Sequence, residues 1–427
     1  MTHGASLAGV NLYPTGAAMP LPDTVRRLPL DDLSPLAEMI GDAHVVAIGE
    51  NNHHIGEFTL LRGQILRFLV TELNFGVLGF ESGFAEGSLV DDWIRGGSGD
   101  VETVARDGFT FRFGDSTEMH EMLSWLRMHN AAGGRVRFAG LDVPGSGGSG
   151  LPALRRVRDY LTTHAPGQVP LVDAAIETTL PYVAANNGVA PARYAALSTP
   201  DRDAATAALT RLLLRLDALR PGSDPHEHLV ARHHALGALR IDEHLRELVE
   251  LGKLAPPALV PSSRDIYQAQ TVRLLRELSG PNERIALMLH NGHAQRVPMQ
   301  LLPGVQAWSA GGYLAADLGA DYFVLGVTAR DGTTTDVRLD EQARQGFEVF
   351  ARPLGPPAEG SVEQAIEQSV PGNEPVLLDL RPARGATCPS TIRHASTDAP
   401  VDVPAAFDGL VCLPTMSPSS FVLRQAP

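Results

Sequence analysis

Two carboxylates and two imidazoles crowd into GENNHHIGE, residues 49–57, as Glu50, His53, His54 and Glu57. An imidazole titrating near neutrality is a natural base for activating water, provided that a carboxylate fixes its tautomer and stabilises the imidazolium. Glu50 stands three residues before His53, and Glu81 ends a later apolar run. Either carboxylate can play that part. Two carboxylates in one pocket repel, so one of them is expected to hold a proton and serve as an acid. Farther along, Asp142 ends RFAGLD, HNGH supplies His290, Asn291 and His293, and Arg62 and Arg264 supply cations. The arginines would neutralise the carboxylates, and His290 with Arg264 would stabilise an oxyanion. The expected catalytic set is therefore His53, Glu50, Glu81 and His290. The expected substrate-binding set is Arg62, Arg264, Asp142, His293, Asn291 and His54. No Gly-x-Ser-x-Gly elbow occurs, which argues against a serine nucleophile.

These residues also have plainer uses. Glu50 with His53 would suit a helix N-terminal cap, Glu81 an arginine pair, and Asp142 the turn before Pro144. Glu57 and Arg112 read as surface or supporting groups. The histidine-rich ARHHALGALRIDEH, residues 231–244, reads as a solvated helix face. GSGGSG, residues 145–150, fits G-x-G-x-x-G, yet no acid-ended strand follows at dinucleotide spacing, so it reads as a flexible loop.

Something must hold these groups together. Four apolar runs end in them: VVAIGE (45–50), VLGFES (77–82), VRFAGLD (136–142) and RIALMLH (284–290). Continuous apolar character over so few residues marks strands buried on both faces of a parallel sheet. YFVLGVTA (322–329), EPVLLDLR (374–381) and FDGLVCLP (407–414) read alike. Ligands bind beyond the carboxyl ends of such strands, where all four ionisable clusters fall. Three- and four-residue apolar spacing from Phe58 to Leu73, over 118–129 and over 151–162 predicts helices. Residues 200–250 are Ala/Leu/Arg-rich and strand-free, and they predict two or three more. The expected fold is α/β, a central mostly parallel β-sheet flanked by helices, with a helical insertion or lid. Its expected parts are an N-terminal arm (1–30), a first catalytic part (31–164), the insertion (165–260) and a second catalytic part (261–427). Residues 382–406, rich in Pro, Ala and Thr, read as a loop.

Composition narrows the partners. A net charge of −14 argues against nucleic acid or an anionic membrane. No apolar run approaches the ~20 residues that span a bilayer, and the opening residues lack the pattern of a signal peptide. Cys388 and Cys412 cannot form a disulfide framework, so a reducing, cytoplasmic setting is expected. The expected partner is a small molecule.

GENNHHIGEF followed by Arg62, then NFGVLGFES, RFAGLD, SSRD, HNGHAQR and SAGGYLAADLGADYFVLG, occur in the order seen in the erythromycin esterase family. The chain resembles that family over roughly residues 30 to 425. The resemblance implies an α/β enzyme that opens macrolide lactones by hydrolysis without a metal or other cofactor. It implies His53 as the base, with Glu50, Glu81, His290, Arg62 and Arg264 around it. Two positions depart from the family pattern: His54, and YQAQ after the Arg–Asp pair. His290 and His293 with a glutamate would also suit zinc or manganese; the resemblance and nearby Arg62 weigh against that. Two other functions use the same residues. One is a natural-product enzyme performing elimination, epimerisation, decarboxylation or cyclisation of a polyketide. The other is a silent protein that sequesters a hydrophobic ligand.

Overall fold

Val45–Ile48 is buried at every position and feeds two cores at once, Val46 and Ile48 on one side, Val45 and Ala47 on the other. Strands of this kind need cover on both faces, and the computed structural model provides it. It describes residues 20–28, 32–220, 224–370 and 373–424. A nine-stranded sheet organises the chain. Its strands are β1 (Arg26–Leu28), β2 (Val45–Ile48), β3 (Phe75–Gly83), β4 (Arg137–Asp142), β5 (Arg284–Met288), β6 (Tyr322–Leu339), β7 (Phe347–Pro353), β8 (Val376–Asp379) and β9 (Gly409–Met416). The spatial order is β1-β8-β9-β6-β2-β5-β3-β4, with β7 pairing the far end of β6. From β9 to β4 all neighbours are parallel. β1, β8 and β7 pair antiparallel. The mostly parallel α/β sheet expected from the apolar runs is thus present.

β2, β5, β3 and β4 lie side by side, so their carboxyl ends share one edge. The helix Gly56–Leu73 follows β2 as its spacing predicted and buries Phe58, Leu61, Ile65, Leu66 and Leu69, with Phe68 and Leu73 only partly buried. Between β4 and β5 lie the helices Leu151–His164, Val169–Thr179, Ala190–Ala195, Thr199–Ala218 and Pro225–Leu251. They hold a core of their own around Leu154, Val172, Leu209 and Leu212. This layer leans on the helix Ser263–Ser279, where Glu247 accepts hydrogen bonds from the Ser263 backbone N–H and hydroxyl. No helix among the described residues is long and apolar enough to cross a membrane.

Four expectations need correction. His233 and His234 are buried rather than solvated: His233 stacks on Tyr267 and meets the Thr271 hydroxyl, and Phe84 packs on both rings. Helical periodicity shows that a face exists, not which neighbour covers it. GSGGSG is no loose loop: Gly145 N–H donates to Glu86, and Ala184 N–H donates to the Gly148 carbonyl. Residues 382–406 include a hairpin, Thr391–His394 against Thr397–Pro400, and the short helix Val403–Ala406. β6 runs on to Leu339, well past the apolar run that announced it. Of the expected arm, residues 1–19 and 29–30 lie outside the described residues.

Candidate active site

Glu50 and His53 occupy the turn from β2 into the helix Gly56–Leu73. His53 Nδ1 lies 2.9 Å from Glu50 Oε1, and Arg62 pairs with Glu50 Oε2 at 2.6 Å. With Nδ1–H donating to the carboxylate, Nε2 is left as the nitrogen free to accept. Nε2 lies 3.8 Å from Glu81 Oε1, at the end of β3. The turn needs Gly49, because a Cβ there would sit 2.0 Å from Asn291 Oδ1. Asn291 itself bridges to β6 through the Val327 backbone N–H and carbonyl.

Glu81 is the hub. Its Oε2 accepts the His290 backbone N–H at 2.6 Å, and its Oε1 accepts from Arg264 at 3.0 Å. His293 Nε2 stands 3.4 Å from the same oxygen. Arg264 also forks onto Asp142. Burial alone would raise the Asp142 carboxyl, but Arg264 outweighs it and holds it below the usual range. His293 Nδ1 meets Asp265 at 2.7 Å. Burial opposes charge on His293, yet Asp265 and Glu81 prevail and raise its proton affinity.

His290 stands differently. Gly292 N–H donates to its Nδ1 at 3.0 Å, and its Nε2 lies 2.9 Å from the Asn51 carbonyl. Both ring nitrogens are taken by backbone. Burial, with neighbouring His394 and His53, keeps it far below the usual histidine range. His54 is buried among Phe113, Phe421 and His53. Glu57 caps the Ser417 backbone N–H and hydroxyl.

The structure thus brings together Glu50, His53, Arg62, Glu81, Asp142, Arg264, His290 and His293. It adds residues that sequence reasoning missed. Asp265 was legible as the acid of SSRD, but there it reads as a helix-start residue. Phe111 stacks over His53 at 6.3 Å between centroids, and Phe113 meets it edge-on at 4.9 Å. Arg264 also lies over the Phe111 ring, 5.4 Å from its centroid. His394, on the hairpin after β8, meets the His290 ring at 4.5 Å. Neither phenylalanine nor His394 carried a local signal, because tertiary folding alone delivers them. Among the described residues, no group of three His, Cys, Asp or Glu side chains is disposed to hold a metal ion.

A histidine clasped by one buried carboxylate and facing another thus lies at the carboxyl edge of a mostly parallel sheet, where α/β folds bind their ligands. The chain belongs to the erythromycin esterase family, whose sequence model, described as Erythromycin esterase, matches residues 70–416. It is accordingly a hydrolase of carboxylic ester or lactone bonds. Erythromycin esterase type II of Escherichia coli is 31% identical over 401 residues, covering 92% of this chain and 94% of that one. Erythromycin esterase type I of Escherichia coli is 25% identical over 409 residues, covering 93% and 97%. In fold, a mutant of the erythromycin esterase EreC in its open conformation superposes with a TM-score of 0.77 at 22% identity, covering 92% and 96% of the two chains. A succinoglycan biosynthesis protein superposes at 0.70 with 20% identity, covering 94% and 95%.

Proposed function

We propose that the chain hydrolyses the lactone of a macrolide or related polyketide, with His53 as the general base. The observation that carries this reading is the His53 ring itself, tied by Nδ1 to Glu50 with Nε2 turned toward Glu81. A water between Nε2 and Glu81 gives its proton to Nε2 as its oxygen attacks the ester carbon. The tetrahedral intermediate collapses by breaking the ring C–O bond. His53 returns the proton to the departing alkoxide, leaving a carboxylic acid and an alcohol.

Charge favours that cycle. Four buried carboxylates, Glu50, Glu81, Asp142 and Asp265, face two guanidiniums and the proton-seeking His293. One surplus negative charge remains, and the His53 imidazolium neutralises it as it forms. Arg264 and His293 supply positive charge for the oxyanion. His290, with no free nitrogen, holds the Asn51 carbonyl and the Gly292 amide in place and shapes the turn that presents His53. The free thiols Cys388 and Cys412 accord with action in a reducing cytoplasm.

The test is incubation with a panel of macrolides and linear polyketide esters in heavy-oxygen water, followed by mass spectrometry. Hydrolysis adds one water and places one solvent oxygen in the product. A product without solvent oxygen would show elimination, epimerisation or cyclisation from the same pocket and overturn the reading.

A further inference from the structure

Phe111 lines a cavity of about 150 Å³ whose walls also include Glu86, Phe109 and Phe347. The same Phe111 ring stacks over His53. Glu86 stands in the first turn of the helix Phe84–Ile94, where a carboxylate suits the helix dipole. That role occupies only part of it. Oε1 accepts the Gly145 N–H at 2.9 Å, whereas Oε2 is buried without any hydrogen-bond partner. A buried carboxylate oxygen without a donor is costly, and such a group calls for a missing partner.

The surrounding charge identifies that partner's sign. Arg106, on the cavity wall, is already bound through two nitrogens to Asp107. Arg156, whose charge also reaches Glu86, is not among the walls and is held by the Ser88 hydroxyl, so the lining suits a cation better than an anion, and a purely apolar group would leave Glu86 unanswered. An alkylammonium satisfies both kinds of wall: its N–H or positive field meets the carboxylate, and its carbons meet aromatic faces that attract cations. The volume suits a small amine substituent, being well below the ~300 Å³ and more of pockets that enclose whole drug-sized ligands.

We propose that this cavity is a subsite for an organic ammonium group carried by the substrate, with Glu86 as its counter-ion and Phe109, Phe111 and Phe347 as its cage. The proposal rests on the hydrolase reading, which it sharpens: Phe111 belongs both to this cavity's wall and to the ring stack on His53. Burial raises the Glu86 carboxyl, with the Gly145 N–H opposing, so an arriving cation also favours its ionised form.

The experiment uses the intact protein with tetramethylammonium and its neutral counterpart tert-butanol. Calorimetry reads binding, and inhibition of ester turnover reads its location. The expected result is that tetramethylammonium binds at least about tenfold more tightly than tert-butanol and competes with an amine-bearing macrolide. In Glu86→Gln that preference falls by about tenfold, as does the kcat/KM ratio for the amine-bearing ester over its N-acylated counterpart. Equal binding of the two probes overturns the proposal on the unaltered protein alone, whatever the fate of the variant. Cation preference without ester opening supports the subsite and overturns the hydrolase reading. Ester opening without cation preference overturns the subsite only.

Discussion

Glu50 reaches His53 with one oxygen and Arg62 with the other, so a single carboxylate sets the tautomer of the base and is itself held in place. Glu50→Gln keeps the shape and removes the charge. Its kcat should fall roughly 100-fold or more with circular dichroism unchanged, and an unimpaired kcat would remove Glu50 from the mechanism. His293 gives a stability prediction. Its folded proton affinity is raised above the ordinary value near 6.5. The stability it contributes is therefore full below that ordinary value and is lost as pH rises through the higher folded one. The melting-temperature gap between the native protein and His293→Gln should be wide near pH 6 and narrow near pH 9; a constant gap would contradict it. At this scale the sequence was generous with Glu50, His53, Glu81, Asp142 and Arg264, each at a strand end or helix start. It also put His290 in the catalytic set, whereas both of its ring nitrogens meet backbone, a contact that no residue pattern displays.

At the scale of elements, the segment after the helix Val101–Gly108 carries the two phenylalanine rings that pack on His53. Phe111 and Arg112 both take left-handed backbone angles, φ of 55° and 61°, which costs L-residues about 1–2 kcal/mol each. Gln345 holds that corner from both ends: its carbonyl accepts the Arg112 N–H and its amide donates to the Phe109 carbonyl. Asn186, from the helical layer, in turn donates to the Gln345 backbone carbonyl. We propose that through this contact the helical layer 165–260 acts as a cover over the pocket, with Phe111 as its inner face. Gln345→Ala should cost about 1–3 kcal/mol in denaturant unfolding and lower kcat/KM; an unchanged midpoint and rate would free Phe111 from this clasp. Glu363 does comparable work for the hairpin that carries His394, accepting from the Thr328 hydroxyl and the Arg393 N–H. Burial raises its carboxyl to about 7. Its contribution is full below the unfolded value near 4.3 and disappears as pH rises through about 7, a loss of roughly 3 kcal/mol. Glu363→Gln should therefore gain on the native protein between pH ~5 and ~8, as read by thermal melts; parallel melts across that range would refute it. Sequence placed these elements unevenly. The hairpin at 391–400 hid in a Pro- and Thr-rich stretch because its pairing partner is itself and its anchor, Glu363, is distant.

For the whole molecule, the decisive fact is the strand order. Four strands ending in ionisable residues are useful only if they are neighbours, and β2, β5, β3 and β4 are. Apolar runs announced the strands, but their adjacency depends on crossovers that local pattern does not encode. The central claim is that this convergence makes His53 the base for water. Its most direct test is the turnover of His53→Ala on a macrolide that the native protein opens, with and without free imidazole. Turnover should fall about a thousandfold or more in an intact fold, with part of the rate restored by imidazole. Near-native turnover by the variant would contradict it.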